Sequence, residues 1–386
     1  MEKPSVPGAG PRQPAPPGFA SWEELFAEQS RLNAAAERIA AVGEREAGFA
    51  GIIADPEKHE VQLYWKGMVP AGVQSALTDA RTKAPVRVLA AAYDLQQLST
   101  EVDRWMSLGQ VSSAAPAADG SGIQLTVADN RKAADLTRPA GTTAQITVEA
   151  DTTSSNQPGT AQSANVSLSY WRWSDIAPFY AGGKYGPGNC STGFAVFDVN
   201  GKRGMLTAAH CGKAGVPGVG TEIKTYLDGR HMGWFDSELE DRDIAIIHAP
   251  SAPRVFTGPW SSNTSVPVVG SWKVWPGNFV CNSGSTTGEN CYIKAVAHGV
   301  SVTYTNGQYV KHMIRAKSTG CAGFKGDSGG PIIMYNGTGG ALAAGVQSGG
   351  GGSAWCAGAG ITGYDTILFA RVTDALLAFN ASLYTS

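Results

Sequence analysis

The sequence predicts a mainly β protein of many short strands, preceded by a smaller α+β unit. Three observations carry that reading. All six cysteines lie after residue 189, at Cys190, Cys211, Cys281, Cys291, Cys321 and Cys356. Of the 49 glycines, 13 fall in residues 1–175 and 36 in residues 176–386. From Trp171 onward the chain runs in short Val, Ile, Phe and Tyr stretches bounded by Gly, Pro and Asn. That texture belongs to a barrel or a sandwich rather than to βαβ units.

The elements follow in order. Residues 1–18 are rich in Pro and Gly and read as a disordered leader without the apolar core of a secretion signal. Ser21, with Glu24 three residues on, has the pattern of a capping box and opens a helix that runs to about Val42. Leu25, Leu32, Ala36 and Ile39 give that helix its apolar spacing. Strands at 50–54 and 61–65 flank the turn Asp55-Pro56-Glu57-Lys58. A helix at 71–82, a strand at 86–90 and a helix at 95–106 complete an αββαβα unit over residues 19–110.

Residues 112–122 read as a Ser-, Ala- and Gly-rich linker. The alternating stretches 123–127 and 144–148 read as half-buried strands. The polar stretch 151–165 reads as an exposed connector, so 111–175 is a linker and short-strand segment before a β domain over 176–386. The end of the chain, 372–383, has the pattern of an amphipathic helix.

Composition excludes several function classes. With 30 Lys and Arg against 32 Asp and Glu, the net charge of −2 does not suit a nucleic-acid binder driven by bulk positive charge. A hydrophobic content of 42% excludes an acidic disordered chain. No apolar run approaches the ~20 residues of a membrane-spanning helix. Neither nucleic acid nor a membrane is expected as a partner.

An even cysteine count in a turn-rich region suggests disulfides and an oxidising compartment. Free thiols or a metal site are the alternative; no CxxC occurs, and no Cys pair lies beside a His pair at zinc spacing.

Acyl transfer at a peptide bond needs a nucleophile, a base, a group that orients the base, and donors for the developing oxyanion. Gly326-Asp327-Ser328-Gly329-Gly330-Pro331 offers Ser328 among glycines that let a substrate approach the backbone, with the N–H groups of Gly326 and Ser328 as oxyanion donors. Alone, the string also reads as a tight loop. Thr207-Ala208-Ala209-His210-Cys211 sets a histidine among small residues, and Asp243 stands immediately before the apolar run 244–247. Singly these are a structural histidine and a strand-start turn. Together they give the chain order His210, Asp243, Ser328, one of the known orders of the serine-hydrolase triad.

On these residues the back half resembles the chymotrypsin-like serine proteases, and more closely the secreted bacterial branch that contains alpha-lytic protease and the streptogrisins. The matching segments are 190–194, TAAHC at 207–211, DIAII at 243–247, CNSGSTTGENC at 281–291, GDSGGP at 326–331 and GVQSGG at 345–350. The resemblance implies two six-stranded antiparallel β-barrels with the active site between them. It implies Ser328 as nucleophile, His210 as general base and then acid, and Asp243 as the carboxylate orienting the imidazole. Ser348 is then expected to hydrogen-bond near Asp243, with Gly349 and Gly350 lining the primary pocket. Disulfides Cys190–Cys211, Cys281–Cys291 and Cys321–Cys356 are implied as well, with no metal or organic cofactor. In one respect the sequence departs: many bacterial relatives carry an Arg where Asn282 stands, paired with the Asp before the nucleophile, which leaves the partner of Asp327 open.

The front unit resembles the pro-regions of the same branch, through its pattern, the strand end Tyr64-Trp65-Lys66-Gly67 and Trp105. A double β-barrel folds through non-local contacts, and a domain acting in cis can lower that barrier. The expected protein is thus a secreted, monomeric serine endopeptidase made as a precursor, its signal already removed, acting on proteins or peptides through an acyl-enzyme on Ser328. Its own pro-region is the partner in cis, removed between about Ser167 and Gly182; a permanent accessory domain is the alternative. A catalytically silent binding homologue and an esterase are the rival functions. Trypsin-like relatives place an Asp six residues before the nucleophile, where this chain has Ala322, and 316–325 holds no acid. An apolar residue before the scissile bond is therefore expected, not Arg or Lys; Lys325, with Lys317 and Arg315, keeps an acidic preference as the lesser alternative.

Overall fold

The computed structural model describes residues 13–128, 133–151, 172–212 and 218–386. Residues 1–12 of the expected leader lie outside them, as does the expected connector beyond Asp151.

Helix α1 (Trp22–Gly43) begins where Ser21 Oγ accepts from Glu24 N at 3.2 Å. The Glu24 carboxylate accepts from Ala20 N at 2.7 Å, one residue further back than a capping box places it. Leu32, Ala36 and Ile39 of α1 pack on a three-stranded sheet of β1 (Phe49–Asp55), β2 (Glu60–Trp65) and β3 (Val86–Ala90). β1 and β2 are antiparallel, and β2 and β3 are parallel across the intervening α2 (Ala71–Ala80). α3 (Leu95–Ser107) has a complete capping box between Asp94 and Gln97.

The expected linker at 112–122 departs from the structure. Ser113–Pro116 form a buried strand, β4, paired on one side with β5 (Gly122–Ala128) and on the other with Ser301 and Val302. β6 (Gln145–Asp151) runs parallel to β5. Small side chains read as linker by composition; here Ala114 packs with Leu98 and Trp105 of α3 and with Leu125 of β5, and a partner nearly 190 positions away supplies the pairing. The leader also departs from expectation at residues 13–18. The Gln13 carbonyl accepts from the Trp22 indole at 2.6 Å, and its side-chain oxygen accepts from Cys291 N at 3.0 Å.

The back half is mainly β, as expected, and its strands fall in two large sheets. The first sheet comprises strands 195–197, 203–207, 244–248, 231–239, 222–225 and 184–186, extended by short strands 382–383 and 190–191 at its ends. Its interior holds Tyr185, Met205, Met232, Phe235 and Ile247. The second is built on strands 265–271, 279–284, 288–303, 309–318, 331–335, 341–351 and 366–371, and β4–β6 prolong it past 288–303. The closing helix α4 (Val372–Phe379) is shorter than expected. Asn380 caps it in the left-handed conformation at φ 48°, and Ser382 and Leu383 return to pair with Phe197 and Val196.

The front unit is docked, not tethered. Trp22, Leu25 and Phe26 of α1 share one apolar cluster with Val280, Ile332 and Val346 of the second sheet. Buried Gln29 and Asn33 hydrogen-bond to Phe279, Lys273 and Asn278, and Ala54 N donates to the carbonyl of Pro276.

Candidate active site

Strand 203–207 ends in a short helical turn, Ala209–Gly212, that carries His210. Another such turn, Glu240–Arg242, ends with Asp243 in the left-handed region, at φ 48°, immediately before strand 244–248. Strands 203–207 and 244–248 are neighbours, so the two side chains meet at one rim of the first sheet. His210 N donates to Asp243 Oδ1 and His210 Nδ1 contacts Oδ2, both at 2.8 Å. The carboxylate thus grips backbone and ring together. Asp243 is 1% exposed and His210 3%.

The second sheet completes the shell. Ser348 Oγ donates to Asp243 Oδ2, as expected, and stands 2.8 Å from the Tyr304 hydroxyl. Because the Ser348 proton is committed to Asp243, Tyr304 donates to Ser348. Burial raises the Tyr304 phenol well above its ordinary pKa, so it keeps its proton. Gln308 Nε2 approaches Asp243 Oδ1 at 3.4 Å.

Ser328 lies on the loop entering strand 331–335, 3% exposed, and its hydroxyl donates to the Ser348 carbonyl at a loose 3.4 Å. Among the described residues no hydrogen bond joins it to His210. Both flank the Cys190–Cys211 disulfide: Cys211 Sγ is 3.8 Å from His210 Nε2 and 3.9 Å from the Ser328 carbonyl oxygen. In the same loop, Asp327 N, Gly329 N and Gly330 N each donate to a backbone carbonyl. The N–H groups of Gly326 and Ser328 donate to no protein acceptor among the described residues. Gly329, at φ 81°, tolerates no side chain, because a Cβ there would lie 2.2 Å from Thr207 Oγ1.

The partner of Asp327 is a set of donors that sequence reasoning missed. Oδ1 accepts from Thr286 N at 2.8 Å and Thr287 N at 3.1 Å; Oδ2 accepts from Thr287 Oγ1 at 2.6 Å, Phe324 N at 3.0 Å and Asn282 Nδ2 at 3.5 Å. Burial pushes the carboxyl above its ordinary value, and the hydrogen bonds from Thr287, Thr286 and Phe324 oppose that shift. Backbone N–H groups carry no residue-type signature, so only the STTG turn itself offered a signal.

Ala322 is fully buried, and backbone bonds of 2.7 Å tie Ala322 N to Tyr364 O and Tyr364 N to Gly323 O. The Tyr364 ring lies against Gly350, where a Cβ would stand 2.5 Å from Cδ2, and 6.1 Å from the Phe324 ring. The Gln347 and Asn282 amides converge on Gly323. Ser348, Gly349 and Gly350 lie in strand 341–351, which pairs with strand 366–371, and Lys325 is half-buried. The two other cations point elsewhere: Arg315 donates to Ser113 Oγ and Lys317 pairs with Glu149 at 2.9 Å, both in the segment 111–175. The remaining cysteines pair as the resemblance implies, Cys281 with Cys291 and Cys321 with Cys356.

The family model described as Trypsin matches residues 178–369. Streptogrisin-C of Streptomyces griseus is 34% identical over 203 residues, 52% of this chain and 39% of that protein, so the chain spans about two fifths of that relative's length. Serine protease 2 of Streptomyces fradiae is 29% identical over 169 residues, 44% of this chain and 90% of its own length. Among solved structures, the Nocardiopsis protease is 32% identical, with 53% of this chain and 98% of that chain covered at a TM-score of 0.42. Through residues 178–369 the chain belongs to the trypsin family of serine proteases.

Proposed function

We propose that the protein is a serine endopeptidase working through an acyl-enzyme on Ser328. The observation that carries this reading is the two-point grip of Asp243 on His210, beside a loop whose Gly326 and Ser328 N–H groups are uncommitted. Ser328 Oγ attacks the scissile carbonyl and its proton passes to His210 Nε2. Asp243 holds the proton on Nδ1 and stabilises the imidazolium, and the Gly326 and Ser328 N–H groups receive the oxyanion. The imidazolium then protonates the leaving amine. Water, activated by the same ring, releases the acyl group. The loose bond from Ser328 to the Ser348 carbonyl is readily exchanged for one to the imidazole once substrate enters.

Ala322 in place of an acid, and the flanking Phe324 and Tyr364 rings, favour an apolar residue before the scissile bond. A buried Lys or Arg head group would find no acid at position 322 to pair with. In this reading residues 19–110, with 111–175, are a pro-region acting in cis. Its support is the apolar cluster shared with α1 and the buried bonds of Gln29 and Asn33. Three disulfides support secretion into an oxidising compartment.

Labelling with a fluorophosphonate tests the central claim. Wild type should label at Ser328 and cleave casein, while Ser328→Ala should do neither. A wild-type chain that neither labels nor cleaves would reduce it to a binding homologue.

A further inference from the structure

Residues 172–175 precede the family-matched stretch, yet all four are buried. Arg172 is fully buried, and its guanidinium reaches one particular turn. Nη1 donates to the carbonyls of Ser283 at 3.1 Å, Gly284 at 3.3 Å and Gly182 at 3.4 Å; Nη2 donates to the Gly258 carbonyl at 3.1 Å and Ser283 Oγ at 3.0 Å. The next residue continues the clamp, with Trp173 Nε1 donating to the Ser285 carbonyl at 2.8 Å. Gly182, at φ 86°, makes the approach possible: a Cβ there would lie 2.7 Å from the Ser283 carbonyl oxygen and 2.9 Å from Arg172 Nη1.

The clamped end of strand 279–284, with Ser285, leads directly into the Thr286 and Thr287 N–H groups that grip Asp327. Ser285 also reaches the nucleophile loop through its side chain, which donates to the Gly326 carbonyl at 3.2 Å. Ser191 Oγ lies 2.8 Å from that same carbonyl oxygen and 2.8 Å from Ser285 Oγ. An unbroken set of bonds therefore runs from Arg172 and Trp173, through 283–287, to Asp327 and to the Gly326 carbonyl before it.

We propose that Arg172 and Trp173 are positioning residues for the oxyanion loop, acting through residues 283–287. Burial draws the Arg172 pKa down to about 10, against the opposing pull of Glu289 and Asp327, so it stays charged at neutral pH. A corollary concerns processing: the cut that removes the front unit must fall N-terminal to Arg172, because a later one would remove the clamp. The proposal rests on Ser328 as nucleophile, and the test separates the two claims.

Three variants, Arg172→Met, Arg172→Lys and Trp173→Phe, are compared with wild type on a peptide anilide, with unfolding midpoints alongside. The Met variant should lose kcat on the order of ten- to a hundredfold with KM within about twofold, a fraction of the loss on deleting an oxyanion donor. A peptide boronate, which forms a tetrahedral adduct, should weaken in parallel, while a non-covalent product peptide should bind unchanged. The Lys variant should recover part of kcat, since one ammonium cannot serve four carbonyls. Trp173→Phe keeps an aromatic ring at the site but loses the bond to Ser285 and part of the buried indole's packing on Trp260 and Tyr226, and should lower kcat several-fold. If Arg172→Met does not fold, Trp173→Phe decides. Wild-type kcat and boronate affinity in a folded Trp173→Phe or Arg172→Met protein overturns the proposal. So does an active processed form beginning after Trp173. A wild type that does not label at Ser328 overturns the underlying function instead.

Discussion

Gln29 of α1 meets both backbone groups of Phe279, with Nε2 donating to the carbonyl at 3.0 Å and Oε1 accepting from the N–H. A side-chain amide thus takes the place of a neighbouring strand at the start of strand 279–284. Both residues are buried, so neither backbone group has water as an alternative partner.

Gln29→Ala should therefore leave a buried donor and a buried acceptor unpaired. The expected loss is about 2–6 kcal/mol, from roughly 1–3 kcal/mol per orphaned group. Urea unfolding of full-length chains carrying Ser328→Ala, to prevent self-digestion, measures it. A loss under half a kilocalorie would mean that the docked arrangement is not held there.

Ser328→Ala or His210→Ala should remove turnover by on the order of 10⁴-fold or more, because the members act as a unit. Asp243→Asn should approach the same loss by presenting the wrong tautomer to the substrate. Ser348→Ala, which removes one donor to Asp243, should lose far less. Comparable losses for Ser348→Ala and Asp243→Asn would show that the serine does more than support the carboxylate.

How far the sequence speaks for this site differs residue by residue. His210, Asp243 and Ser328 are legible because each sits in a short string whose neighbours limit its environment. β1–β3 and α1–α3 are legible because their periodicity and caps are local. β4 is not, since Ala114 gains its strand from Ser301 and Leu125, and Ala115 from Gln124, rather than from their own propensity. The hold on Asp327 is hidden for a related reason: its donors are mostly main-chain groups. The expected run of α4 to 383 overlooks Asn380, which tolerates the left-handed cap and ends the helix at Phe379.

His298 should make the fold sensitive to acid. It is fully buried beside the Arg371 guanidinium, at 3.3 Å, and burial, with Arg371 and Lys273, draws its pKa down to about 3. The unfolded chain takes up this proton near pH 6.5 and the folded chain does not. The stability is thus complete above about pH 6.5 and is lost towards pH 3, at up to about 1.4 kcal/mol per pH unit. Unfolding midpoints between pH 7.5 and 4 should fall more steeply with His298 than in a His298→Gln chain. Parallel curves would sink this assignment.

Tetrapeptide anilides differing only at the residue before the scissile bond should be cleaved fastest with Phe, Leu or Met there. Fastest cleavage after Arg or Lys would show that the surroundings of Ala322 supply a carboxylate from elsewhere.

Wild-type protein at neutral pH should yield a disulfide-bonded fragment of roughly 22 kDa, an ordinary size for a single domain. Ser328→Ala should stay full length. An intact, fully active wild type after days would make the front unit a permanent domain.

The pairing of β4 with Ser301 and Val302 has a consequence for any form of the chain that lacks β4. Strand 288–303 outruns strand 279–284, and at its far end only β4 occupies the outer flank. Without the front unit, that flank presents bare N–H and C=O groups, a template on which another extended chain can add. A second copy of the chain or an unfolded polypeptide can pair along that ledge once β4 is gone.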